Sequence, residues 1–174
     1  MKIACVLEND FEDSEYSEPV EALRQAGHAV TVIGLQSGAE LNGKKGKVTA
    51  RADKAFGEVA PDQFDALLIP GGSSPDKLRA HSEPVAFVKA FFDAEKPIFA
   101  ICHGPQLFLT AETFRQHLMT AWKTVQKDLQ LAGANVTDAE VVVDRNLVTS
   151  RQPSDIPAFN QALLELLKAP VANR

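Results

Sequence analysis

Short, largely apolar runs alternate with helix-length amphipathic stretches along most of the chain. Lys2 to Leu7, Ala29 to Ile33, Ala66-Leu67-Leu68-Ile69 and Ile98-Phe99-Ala100-Ile101 are four such runs. They do not alternate apolar with polar, so each is expected to be buried on both faces, as strands of a parallel sheet covered by helices are. Helices are expected from about Ser14 to Ala26, with Gly27 placed to end it and Pro19 inside it to bend it. Further helices are expected from Ser82, a plausible cap, to Glu95, over Gln106 to Ala111, and from about Ile156 to Lys168. The βαβ order predicts an α/β fold, a flavodoxin-like, doubly wound, mostly parallel sheet with helices on both faces.

Two regions depart from this pattern. Leu35 to Phe56 is rich in Gly and Lys and holds only a short candidate strand near Val48. Late in the chain, Val141-Val142-Val143 and Leu147-Val148-Thr149 flank Asp144-Arg145-Asn146, the pattern of a small antiparallel hairpin. With 174 residues, no internal repeat and no linker, the chain is expected to be one domain, 1–174, with Pro170 to Arg174 as a loose tail.

Composition narrows the function. A net charge of −5 disfavours a nucleic-acid partner. Lys44-Lys45-Gly46-Lys47 is the one dense basic cluster and reads as a solvated loop. No apolar run approaches the ~20 residues of a membrane span, and the N-terminal apolar stretch reads as a strand, not a signal peptide. The two cysteines, Cys5 and Cys102, have no paired spacing, so no disulfide is expected and a reducing cytoplasm is the natural compartment. His28, His81, His103 and His117 show no ligand spacing, and neither a metal nor a cofactor is expected. Cys5 lies mid-strand and reads as a core residue, and His117 reads as a surface residue.

The chemistry points to one segment, Ile98-Phe99-Ala100-Ile101-Cys102-His103-Gly104-Pro105. An apolar strand runs straight into a cysteine, and Pro105 can open the helix that follows without wasting an N–H. The logic is that of a nucleophile elbow with sulfur in place of oxygen. A cysteine taken alone is most often a core residue, but here a helix N-terminus is expected to stabilise the thiolate and lower the thiol pKa below ~8.5. The N–H groups of His103, Gly71 and Gly72 are candidates for an oxyanion hole. Asn9 to Asp13 ends the first strand, and its Glu12 is either an acid beside the thiol or part of a solvated acidic loop.

These residues resemble the ThiJ/PfpI superfamily, and within it the PfpI branch of intracellular protease-like stress proteins. Similar blocks run through nearly the whole chain: Phe11-Glu12-Asp13, Phe64 to Leu67 with Pro70-Gly71-Gly72, Ala100 to Gln106, Ala139 to Asp144, and Val148 to Arg151 with Pro153. The resemblance implies Cys102 as nucleophile, Glu12 as the acid that hydrogen-bonds it, and His103 as the partner imidazole. It also implies an acidic residue supplied by a neighbouring subunit, for which this chain offers Asp76 in place of the usual Glu. A homodimer or hexamer follows from that implication. Gln116-His117 stands where the family often has a Gly-Arg pair. Thr120-Ala121-Trp122 lacks the later histidine of the human Parkinson-linked branch, which favours the protease-like branch.

Three roles remain open on this reading: hydrolysis of small peptides or acyl compounds, glyoxalase- or deglycase-like handling of methylglyoxal and its adducts, and a non-catalytic role as oxidative-stress sensor or chaperone through oxidation of Cys102. A glutamine amidotransferase is excluded, because no histidine follows His117 to complete its triad.

Overall fold

The computed structural model describes residues 1–168, so the tail expected over 170–174 lies outside the described residues. In chain order the elements are β1 (Lys2–Val6), α1 (Asp13–Gln25), β2 (Ala29–Gly34), β3 (Glu40–Asn42), β4 (Thr49–Arg51), β5 (Lys54–Ala55) and β6 (Ala66–Ile69). There follow α2 (Ser74–Leu78), α3 (Ser82–Asp93), β7 (Ile98–Ile101), α4 (Gln106–Ala111), β8 (Leu118–Met119), α5 (Lys123–Leu131) and β9 (Asn135–Val136). The chain closes with β10 (Val141–Asp144), β11 (Leu147–Ser150) and α6 (Ile156–Lys168).

Seven strands form one sheet in the order β10-β11-β7-β6-β1-β2-β5. Every pairing in it is parallel except β10 with β11. The late hairpin is therefore the edge of the main sheet, joined to it through β11 and β7, and not a separate unit. Strand direction reverses its march across the sheet at β1, so the loops after β1, β6 and β7 open side by side at the carboxyl ends of the strands, where ligand sites of open α/β sheets form.

Successive strand residues serve opposite faces. Ile3 and Cys5 of β1, Leu68 of β6, and Phe99 and Ile101 of β7 pack with Tyr16, Val20 and Leu23 of α1 and Phe159, Leu163 and Leu167 of α6. Ala4 and Val6, Leu67 and Ile69, and Ile98 and Ala100 pack on the other face with Phe87, Val88 and Phe91 of α3, Leu107 and Phe108 of α4 and Val125 and Leu129 of α5. Each of the large side chains fully buried in this way contributes roughly 1.5–3 kcal/mol of transfer free energy. Cys5 is indeed a core residue, buried at the centre of β1.

Several local expectations change. Ser82 begins α3 but does not cap it: His81 holds the cap position, without a side-chain hydrogen bond. The Gly- and Lys-rich region is not bare loop. It contains the β3–β4 hairpin and then β5, which pairs with β2 at the sheet edge. What folds the tip of that region is Asp13. Its buried carboxylate accepts the backbone N–H groups of Lys47 and Val48 at 2.8 Å and of Lys45 at 2.9 Å. Gly43 packs so tightly here that a Cβ on it would lie 2.5 Å from the Asp13 carboxyl carbon.

Replacing Asp13 by Asn leaves one carboxylate acceptor and its charge missing. The expected outcome is a stability loss of about 1–3 kcal/mol in urea unfolding, with faster hydrogen exchange at the Lys45, Lys47 and Val48 amides than elsewhere.

Candidate active site

Strand β7 ends at Ile101, and Cys102 follows with φ +62°, a left-handed conformation that a non-glycine residue adopts only under constraint from its surroundings. The constraint is visible: its N–H donates to Ser150 O and its C=O accepts the Trp122 N–H, both at 2.9 Å. This turns the side chain away from the sheet into a crowded spot, and the residue is 7% exposed. Sγ lies 3.2 Å from Nδ1 of His103. The imidazole stacks on Trp122, with ring centroids 6.3 Å apart and planes 24° apart.

Glu15 is the acid beside the thiol. It lies in the first turn of α1, is fully buried, and its Oε2 accepts the Gly71 N–H at 3.0 Å. Oε1 has no nitrogen or oxygen partner, and the Cys102 thiol is the group that stands against the carboxyl. Gly71 is the point of contact. A Cβ built there would fall 2.3 Å from Glu15 Oε2 and 2.7 Å from Cys102 Cβ, so only glycine permits the approach. Gly72, with φ +76°, is equally restricted: a Cβ would meet Asp10 O and Glu12 N at 2.4 Å. It pairs with Phe11 in an isolated bridge that ties the loop after β1 to the loop after β6.

Glu12, expected in the role of that acid, is placed elsewhere. It is 3% exposed, and its carboxylate bonds the ammonium groups of Lys44 at 2.8 Å and Lys45 at 2.5 Å. Burial works against its charge, but the two lysines outweigh burial and hold its carboxyl below the usual range. A carboxylate so engaged has no proton to offer sulfur. The helical period explains the exchange of roles: Glu15 shares a face with Pro19 and Leu23, at i, i+4 and i+8, which points inward, whereas Glu12 precedes the helix. A glutamate on the buried stripe of an amphipathic helix was the available signal. The basic loop is likewise no free solvated segment, since Lys44 and Lys45 are bound to Glu12.

The expected lowering of the thiol pKa by a helix terminus is overturned, and the Cys102 thiol lies above its usual range because it is buried. Helix α4 has only 6 residues, and the turn before it uses its own donors, Gly104 N–H to Ile101 O and Gln106 N–H to His103 O. Burial first, and then the Glu15 carboxylate, push the Cys102 thiol up, while the N–H groups of His103 and Gly72 donate to sulfur and pull it down. Glu15 is itself pushed up to about 8, chiefly by burial. At neutral pH it therefore holds a proton, and a protonated carboxyl both removes the like charge and offers an O–H to sulfur. Burial and the Lys44 charge keep the His103 imidazole below its usual range, with Asp76 opposing them, so the ring is a neutral base.

Of the three expected oxyanion donors, Gly71 is committed to Glu15, which leaves the N–H groups of Gly72 and His103 at the sulfur. Asp76 lies at the mouth of the same chain's site, where it pairs with Arg79 at 2.7 Å. An open cleft of about 300 Å³ lies beside the site, lined by Lys44, Gly72, Ser73, Asp76, His103 and Gln106. His117 is no surface residue. It is 8% exposed, packs edge-on against Phe92, and sits 3.3 Å from Asp144 in a network with Arg145 that is separate from the thiol. Among the described residues no group of three or more His, Cys, Asp or Glu side chains is arranged to hold a metal, and no helix is long and apolar enough to cross a membrane.

The fold and this grouping define an α/β protein whose candidate chemistry centres on one cysteine at a strand-to-helix elbow, with a buried acid and an imidazole against it. The chain belongs to the DJ-1/PfpI family, whose model matches residues 1–166. It is 50% identical over 167 residues to the putative cysteine protease YraA of Bacillus subtilis, covering 96% of this chain and 98% of that protein. It is 49% identical over 169 residues to protein/nucleic acid deglycase 2 of Escherichia coli, covering 97% of this chain and 98% of that protein. The crystal structure of a two-domain protein from Anabaena variabilis, with DJ-1/ThiJ/PfpI-like and ferritin-like domains, superposes with a TM-score of 0.93 at 37% identity, covering 99% of this chain and 50% of the other.

The raised carboxyl of Glu15 has a stability signature. The unfolded chain releases this proton near pH 4.5 and the folded chain near 8, so the folded state binds more protons between those values and stability falls as pH rises through them. Relative to Glu15→Gln, which cannot ionise, the wild type is expected to lose up to about 1.4 kcal/mol per pH unit across that window and to level off above it. Urea unfolding of both proteins between pH 5 and 9 measures this, and parallel curves would show that Glu15 ionises normally.

Proposed function

We propose that the protein is a cysteine-dependent hydrolase of small peptides or acyl compounds, with Cys102 as nucleophile. The observation that carries this reading is the thiol sulfur 3.2 Å from a neutral imidazole that itself lines an open cleft. In the proposed reaction, His103 Nδ1 takes the thiol proton as Sγ bonds to the acyl carbon, and the carbonyl π pair moves onto oxygen. The Gly72 and His103 N–H groups, which already point at the sulfur, are suited to hold that oxygen. Collapse expels the amine or alcohol, which leaves with the proton from His103. Water then cleaves the thioester, returning the thiol and releasing the acid. The name of the Bacillus relative supports this branch.

Carbonyl chemistry is a second reading, and one observation favours it: a protonated carboxyl in contact with the nucleophile. Addition of the thiol to an aldehyde such as methylglyoxal gives a hemithioacetal, whose rearrangement needs a group that gives and takes a proton beside the sulfur. Glu15 is suited to that, and the name of the Escherichia coli relative, protein/nucleic acid deglycase 2, supports this second reading.

Side-by-side assays separate the two. Hydrolysis is expected to leave an acyl adduct on Cys102, seen by mass spectrometry with an activated ester. Carbonyl chemistry is expected to yield lactate from methylglyoxal without added glutathione. Cys102→Ser should abolish whichever activity is found, and His103→Gln should lower kcat/KM for hydrolysis by about a hundredfold or more. Full activity in Cys102→Ser would end both readings.

A further inference from the structure

The loop that carries Lys44 is built in a way the core does not require. Asp13 gathers three backbone N–H groups of the loop, and Glu12 binds two of its ammonium groups. Both carboxylates are more than nine-tenths buried. Burying two charged groups is unfavourable unless their oxygens are engaged, and here the engagement is with one surface segment. Its effect is to fix Lys44 at the cleft, where its side chain shares the lining with His103, Ser73 and Gln106.

Most charges around the cleft are taken up in pairs. Asp76 is matched by Arg79, and Asp10 by Lys77 at 2.5 Å. Glu12, by contrast, is one carboxylate facing two lysines, Lys44 and Lys45. Asp13 under the same loop balances the second lysine in net charge, but it faces backbone N–H groups, whereas Lys44 stands near enough to act on the charge of both His103 and Cys102. An ammonium has three donors, and Glu12 occupies one of those of Lys44. The side chain of Lys44 is 47% exposed, so its remaining donors are open to a ligand.

We propose that Lys44 is a specificity residue that selects substrates carrying a carboxylate or comparable anionic group next to the carbon that Cys102 attacks. The inference rests on Cys102 being the nucleophile, and it adds to that reading the charge of the substrate. Glu12 and Asp13 then act as positioning residues, one holding the ammonium and the other holding the loop.

Two alkylating reagents of one shape test this without any assumed substrate. Iodoacetamide is neutral and iodoacetate is an anion. Each forms an Sγ–carbon bond at Cys102 and releases iodide, and the thiol proton passes to His103 or water. The ratio of their rates removes any effect common to both, including a change in thiolate fraction. In the wild type the iodoacetate-to-iodoacetamide ratio at Cys102 is expected to exceed that of N-acetylcysteine. Lys44→Met should lower it about fivefold, the factor expected for losing one unit charge at close range in a largely aqueous cleft. Lys44→Arg should preserve it. Lys47→Gln, which makes the same change in net charge on an exposed residue of the same loop, should leave it unaltered. An unchanged ratio in Lys44→Met, or an equal fall in Lys47→Gln, would overturn the role of Lys44 while leaving the nucleophile intact. Failure of both reagents to modify Cys102 would overturn the nucleophile reading, and this inference with it.

Discussion

The contact on which the site depends is the meeting of a buried carboxyl and a buried thiol across one glycine. Gly71 donates its N–H to Glu15 Oε2, and its missing Cβ leaves the space in which Glu15 and Cys102 approach each other. Everything around that contact serves to maintain it. The left-handed backbone at Cys102 turns the thiol toward the glycine, and the loops after β1 and β6 are tied by the pairing of Phe11 with Gly72. Helix α1 places Glu15 from one side while β7 delivers the sulfur from the other. Strain and desolvation at the elbow are offset by the packing of two apolar layers on the sheet, a division of labour typical of functional sites.

Around this centre the acidic residues near the start of α1 divide into distinct tasks according to depth and direction. Glu15 lies on the inward face, is denied water, and keeps its proton. Asp13 faces backbone N–H groups that favour its ionised form. Glu12 faces two lysines and stays charged. Three carboxyls within four residues thus provide an acid, a loop anchor and a counter-ion, because each meets a different partner. The basic loop belongs to the same construction. It is held down by two of these carboxylates, and through Lys44 it becomes a wall of the cleft.

The fold was largely legible because its signal is local. Apolar runs of β1, β2, β6 and β7 end where the pattern of residues ends, and α4 and α6 begin and end as their amphipathic period indicates. Elements that the pattern misses are short or weakly apolar. Strands β3 to β5 are two or three residues long, and α5 has buried Val125 and Leu129 in a mostly polar run. His117 shows the limit from the other direction: nothing in Gln116-His117 announces burial, which comes from Phe92 on α3 and Asp144 on β10.

By itself the sequence determined the class of fold, the family, and Cys102 at a strand-to-helix turn, because strand, turn and helix are written in adjacent residues and burial in a repeating pattern. Only the tertiary structure decided which acid meets the sulfur, that Gly71 serves the acid and not an oxyanion, and that a basic loop forms a wall of the cleft. Those outcomes depend on distances between segments far apart in the chain. Glu12 stands in extended backbone before α1 and Glu15 on the buried face of its first turn, and only the packed molecule shows which of the two leads to the thiol.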